Sequence, residues 1–212
     1  LHAAFILPFF LFYYFAKKRF SILRFAIVPA MMVVTALPLV FWGRSPFETF
    51  TVYAKQTSLW KSMSNGYPSI WYLMFTEGNE AQYDYMAPIA ILMTVCALAF
   101  FMVTWIRNKY VPKGKNLLIM AFLLTYTTLF FLPAMHGRYS YAYEIMAIAL
   151  AVIIPKTIPL AAGQIILSCC TYCSYLFYTP TDHKALVWIN IPIYLAYILI
   201  LRKELKREEI EE

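Results

Sequence analysis

Residues able to do chemistry are few in this chain, and they stand against an apolar background. Met135-His136-Gly137-Arg138-Tyr139 sets a histidine and an arginine on either side of one glycine, shortly after Pro133. Proline ends an incoming helix and glycine lets the backbone turn sharply. The pattern therefore predicts a tight turn carrying two potential cations. A guanidinium matches phosphate oxygens with two parallel hydrogen bonds, and an imidazole can add a third or shuttle a proton. The same pair also has a plain structural use, as a snorkelling arginine and a capping histidine. Glu144 is the one acid inside the long apolar blocks, a helical turn beyond Ser140 on the same face. Ionisable groups at such depth are functional candidates by default. Structural pairing with a polar group on another helix is the simpler use of Glu144; positioning of the turn is the other.

The elements that must hold these groups follow from composition. Hydrophobic residues make up 62% of the 212 and charged residues only 14%, where a soluble domain carries about a quarter charged. Mean hydropathy is +0.62. The apolar residues come in blocks approaching the roughly 20 residues that a membrane-crossing helix needs, without the alternation of barrel strands. Seven such helices are expected, at about Leu1–Ala16, Phe20–Trp42, Tyr85–Ile106, Leu117–Met135, Tyr139–Pro155, Ile158–Tyr178 and Ala185–Leu201. The chain opens inside an apolar run with no initiator methionine, so it is expected to be part of a longer protein. Cys96, Cys169, Cys170 and Cys173 all fall within apolar blocks. The Cys170-x-x-Cys173 spacing reads as small residues at a helix contact, since no histidine or acid flanks it. No Gly-rich phosphate loop, His-x-x-x-His or GxSxG occurs, and no internal repeat of the kind common in secondary transporters is apparent.

Lysine and arginine then give an orientation. Lys17, Lys18, Arg19, Arg24, Arg107, Lys109, Lys113, Lys115, Lys156, Arg202, Lys203, Lys206 and Arg207 fall in alternate connections and the tail. The intervening connections hold Arg44, Lys55, Lys61, Arg138 and Lys184. The split is 13 against 5 and its alternation never slips, which places the first set in the cytoplasm. This distribution, and not a nucleic-acid surface, accounts for the net charge of +7. The tail 202–212 reads as a charged cytoplasmic extension of the last span. The long outer connection, about 43–84, is rich in aromatics: Tyr53, Trp60, Tyr67, Trp71, Tyr72, Phe75 and Tyr83. Such segments favour the headgroup level, so the connection is expected to form short interfacial helices. It reads equally as an aromatic belt or as a binding loop.

Phe131-Leu132-Pro133-Ala134-Met135-His136-Gly137-Arg138-Tyr139 resembles the F-x-P-x-M-H-E-R-Y signature of polytopic GT-C glycosyltransferases. The nearest likeness is to bacterial relatives of the second mannosyltransferase of glycosylphosphatidylinositol-anchor assembly. Tyr53-x-x-Gln56, followed by Ser64-Asn65-Gly66-Tyr67-Pro68-Ser69-Ile70-Trp71, is similar to that family's Y-x-x-Q … S-x-N-A-x-N-l-W outer segment. Gly137 stands where the family usually has Glu, and Ser69 where it usually has Asn.

The resemblance implies part of a larger GT-C fold that moves a mannose-like sugar from a polyprenyl-phosphate donor to a glycan or lipid acceptor at the outer face. It implies donor-phosphate binding by His136 and Arg138, and a substrate loop containing Tyr53, Gln56, Asn65, Tyr67, Trp71 and Tyr139, with Glu144 in support. The family's catalytic carboxylate lies in its first outer loop and is expected upstream of Leu1, in the remaining N-terminal part of the protein. No cofactor is indicated, and no metal is called for by these residues. The expected setting is a bacterial inner or plasma membrane, among its lipids, with a cytoplasmic C-terminus; no N-x-[ST] sequon occurs. The alternative is a polytopic transporter or flippase of lipid-linked glycans, or a scaffold subunit of an envelope-assembly complex.

Overall fold

A computed structural model describes residues 5–17, 21–45, 47–48, 51, 61–75 and 80–206. Among them the architecture is all-helical. Seven α-helices run in order: α1 (Leu7–Lys17), α2 (Ile27–Phe41), α3 (Glu80–Arg107), α4 (Lys115–Phe131), α5 (Tyr141–Ile153), α6 (Ile158–Phe177) and α7 (His183–Glu204). Each expected block is thus a helix, with shifted bounds. The fourth ends at Phe131 and not Met135, because Leu132 turns to an extended conformation ahead of Pro133, as a residue before proline is biased to do. The last begins at His183, where the Asp182 carboxylate accepts from the backbone N–H of Lys184 and Ala185. That is the cap such a helix start favours. It then runs on through Arg202 and Lys203 to Glu204, so the start of the charged tail is helical.

Four stretches are long and apolar enough to cross a membrane: Ile22–Phe41, Gln82–Arg107, Pro155–Phe177 and His183–Glu204. Helices α4 and α5 are apolar but shorter. Helix α4 is the axis of the bundle. Every residue from Ile119 to Phe130 is buried, as expected of a helix that is apolar all round. Helices α1, α3, α5 and α7 pack around it, and α6 sits against α5 and α7. Beside the axis, Tyr126 stacks on Tyr143 at 4.5 Å between ring centroids, and Phe130 stacks on Tyr194 at 4.8 Å. Buried hydroxyls find partners here: Tyr126 donates to Asn190 Oδ1, and Thr127 and Tyr194 lie 2.8 Å apart. Helix α2 differs from the rest, for none of its residues is buried.

The connections sort to two ends. At one end the 61–75 segment, the turn after α4 and the start of α7 meet: Asn65 and Gly66 pair with His136, and Tyr72 stacks on His183. At the other, Lys115 and Lys156 converge on Glu204 at 2.7 and 3.8 Å, while Asn116 bonds the backbone of Lys206. The connections that these contacts place fall on the sides to which the lysine and arginine count assigns them. In the 43–84 connection, the described part of the expected interfacial structure comprises helical residues at 47–48 and 51, a 3-10 turn, Ile70–Leu73, and an early start of α3 at Glu80. Tyr53, Gln56 and Trp60 lie outside the described residues.

Thr179 and Lys113 are both exposed, at opposite ends. In sealed cells, on a cysteine-free background, an impermeant thiol reagent is expected to modify Thr179→Cys and spare Lys113→Cys. Equal labelling, or the reverse, would overturn the orientation drawn from charge. Ser64 lies at the same end as Thr179 but is fully buried, and would report nothing.

Candidate functional site

The turn after α4 is shaped by three backbone features. Pro133 stops the helix, Ala134 adopts a left-handed φ of 60°, and Gly137–Tyr139 forms a 3-10 turn. The turn does not stand alone, because the 61–75 segment lies against it as a strip of backbone. Ala134 N–H donates to Met63 O at 3.2 Å and Tyr67 N–H to Met135 O at 3.3 Å, flanking the pairing of Asn65 and Gly66 with His136. This contact satisfies backbone groups that an apolar setting would otherwise leave costly. Three aromatic side chains hold the strip down. Trp71 is buried and donates its indole N–H to Phe131 O at 2.7 Å, a carbonyl of α4's open end. The Tyr72 hydroxyl accepts from Gly66 N–H at 2.6 Å. Tyr67 is buried to 1% exposure and donates to the Tyr143 hydroxyl at 3.1 Å. Burial pushes the Tyr67 phenol well above its ordinary range and keeps it protonated.

Two glycines make the close approach feasible. Gly66 has φ of 78°, a conformation that L side chains rarely adopt. At Gly137 the constraint is space: a Cβ would meet Thr171 Oγ1 at 3.2 Å and Gly66 O at 3.3 Å. One contact is a backbone carbonyl and the other a hydroxyl already bonded to Ser168 O, so neither yields easily. A side chain at 137, such as the glutamate usual in the resembling signature, would need these neighbours to give by a few tenths of an ångström. Ser69, at the signature's asparagine position, is buried with its hydroxyl unpartnered.

Of the residues singled out from sequence, the structure brings Asn65, Tyr67, Trp71, His136, Arg138 and Tyr139 to one end. Arg138 is exposed, with its guanidinium 5.7 Å from the Tyr139 ring centre. Among the described residues no carboxylate forms an ion pair with it. His136 meets the same ring edge-on at 5.2 Å, and Tyr139 rests on Phe5. Glu144 is partly buried one turn below, its N–H bonded to Ser140 O and its carboxylate near the Ser140 and Ser168 hydroxyls. Tyr53 and Gln56 fall outside the described residues. The cysteines are free: Cys169 and Cys173 are exposed rather than set at a helix contact, while Cys170 packs against the core.

A second group was not singled out from sequence. Gln164 of α6 and Asn190 of α7 are buried beside Tyr67, Tyr143 and Glu144, around a small cleft with room for about one water molecule. Asn190 donates to Pro68 O at 2.8 Å and so ties α7 to the strip. Each is the single amide of its helix, and a lone amide within an apolar block is the signal that marks them. No protein-family model, curated protein or solved structure matches the chain.

Gly137→Ala is expected to lower stability by about 1–2 kcal/mol, as overpacking of a tight site does. Thr171→Ala in the same chain should recover part of the loss. Melting in detergent checks both; a Gly137→Ala protein as stable as the parent would show the contact to be slack.

Proposed function

We propose that the chain is the donor-binding part of a membrane glycosyltransferase of GT-C type, crossing the membrane seven times with the His136 turn outside. It takes a hexose from a polyprenyl-phosphate donor and passes it to a glycan or lipid acceptor. One observation supports this above the others. The two segments that resemble the family's motifs lie about 70 residues apart in sequence, yet pair backbone to backbone, Asn65 and Gly66 against His136.

The chemistry follows from what the turn presents. Transfer breaks the bond between the anomeric carbon and the phosphate oxygen while the acceptor oxygen bonds that carbon. The lipid phosphate gains a full negative charge as it leaves. A fixed cation stabilises that change most where the charge develops. Arg138 is exposed at the headgroup end, charged, and held beside Tyr139, which suits a phosphate carried on a lipid. His136, anchored through its backbone to the 61–75 strip, adds a donor from the same turn. The acceptor's proton goes to the carboxylate that the resemblance places upstream of Leu1. Loop aromatics packed over the turn limit water on the sugar side, which protects the transfer from hydrolysis.

Arg138→Ala should lower sugar transfer by the full-length protein by about 10- to 100-fold, the loss of one charge-assisted bond at an exposed position. Arg138→Lys keeps the charge without the planar fork and should fall between. His136→Ala should lower transfer as well. The assay uses a synthetic polyprenyl-phosphate hexose, with membrane expression as the folding control. Normal transfer by a well-expressed Arg138→Ala protein would make the turn structural and remove the assignment.

A further inference from the structure

The end opposite the His136 turn carries charge that its own contacts do not use up. The Asn116 side chain is buried; it donates to Lys206 O at 2.7 Å and accepts from Lys206 N–H at 3.1 Å. It also donates to Val111 O at 3.0 Å, so the turn before α4 and the residues after α7 are fixed against each other. Beside this clamp Lys115 pairs with Glu204 at 2.7 Å. Lys156, from the turn between α5 and α6, reaches the same carboxylate at only 3.8 Å, with its side chain 77% exposed. A pair so long and so exposed holds its ammonium weakly. Lys113, Lys203 and Lys206 are exposed within two residues of these contacts. Three connections thus gather five lysines near Glu204, the one carboxylate in 107–115, 154–157 and 202–206, which leaves a surplus of four charges.

The bias of lysine and arginine to one side of a membrane asks for cations in each connection there, not for three connections to meet on one carboxylate. A fixed surplus of this size attracts an anion. The neighbouring side chains tell which kind. Ile106, Val152, Ile153, Ile158 and Leu199 are all more than half exposed. Leu199 lies one turn before Lys203 on the same face of α7, while Val152, Ile153 and Ile158 belong to the two helices that Lys156 joins. An apolar band therefore begins about one turn inward of the lysines. A soluble anion has no use for that band. A phospholipid does, since its acyl chains can lie along the aliphatic side chains while its phosphate reaches the ammonium groups. Lysine suits the role, as a compact charge on a flexible stem that makes no demand for fixed geometry.

We infer that Lys113, Lys156 and Lys203, backed by Lys115 and Lys206, bind the headgroup of an anionic phospholipid in the leaflet at this end, a site separate from sugar transfer. The full chain in detergent is mixed with equal amounts of phosphatidylglycerol and phosphatidylcholine carrying the same acyl chains. Retained lipids are counted by native mass spectrometry, with thermal melting as the folding control. Phosphatidylglycerol should be favoured, and Lys156→Gln and Lys203→Gln should each cut that preference about fivefold, the worth of one lysine near an anionic surface. Glu204→Gln should raise it, because the carboxylate competes with the headgroup for Lys115 and Lys156. Lysines that served only to hold the helices together would give no such gain. No preference in the parent, an unchanged preference in the folded double lysine variant, or failure of folded Glu204→Gln to raise it would overturn the inference. Displacement of phosphatidylglycerol by soluble glycerophosphoglycerol at the lipid's own concentration would do the same, since the ligand would then be a free anion. Glu208, Glu209, Glu211 and Glu212 follow in the tail. A preference that emerges only when all four are changed to Gln would assign the lysines to the tail and overturn the inference too.

Discussion

The pairing of the 61–75 strip with the turn after α4 is the constraint on which the rest of this end depends. Peptide groups in an apolar setting must find partners, and a helix that stops short leaves carbonyls open. Here the strip supplies them: Trp71 reaches the carbonyl of Phe131, and Met63 and Tyr67 pair with Ala134 and Met135. Once the strip is seated, Tyr67 is carried into the bundle against Tyr143, and Pro68 offers its carbonyl to Asn190. Three helices are thereby tied to a segment that has almost no regular structure of its own.

The two glycines show how narrow the tolerance is. Gly66 is needed for its dihedral angle and Gly137 for the space above it. Each is the other's neighbour, since the Gly66 carbonyl is among the atoms that a Cβ at 137 would strike. A side chain would strain the backbone at 66 and press on Thr171 and the Gly66 carbonyl at 137. The local chemistry of the turn and the reach of the strip are one structural problem.

Much of the fold was legible because long apolar blocks announce themselves by composition: all seven blocks are helices, four of them in stretches long and apolar enough to cross a membrane. Their ends were less legible. The block at 117–135 looked continuous because Pro133 and Ala134 are apolar enough to extend it, although the backbone has already left the helix at Leu132. At the site, His136, Arg138 and Glu144 stood out as polar groups in apolar surroundings. Gln164 and Asn190 carry no charge, and one amide in a 20-residue helix is easily passed over. What makes them matter is convergence from α6 and α7 onto Tyr67 and Tyr143, a relation between distant positions that no local pattern encodes. The cost of a glutamate at 137 was also invisible, because it depends on Thr171 from another helix.

Helix α2 and helix α4 lie in the same chain under opposite rules. From Ile119 to Phe130 each side chain of α4 fits against others, so its sequence is written by shape, and trading one apolar residue for another disturbs several neighbours at once. None of α2's residues is buried among the described residues, so against these its side chains answer mainly to the surrounding medium. Leucine, isoleucine, valine and phenylalanine differ there by only a few tenths of a kcal/mol in their preference for the bilayer interior. Drift among related chains should accordingly be fast along α2 in residue identity and slow in hydrophobicity, while along α4 identity itself is held.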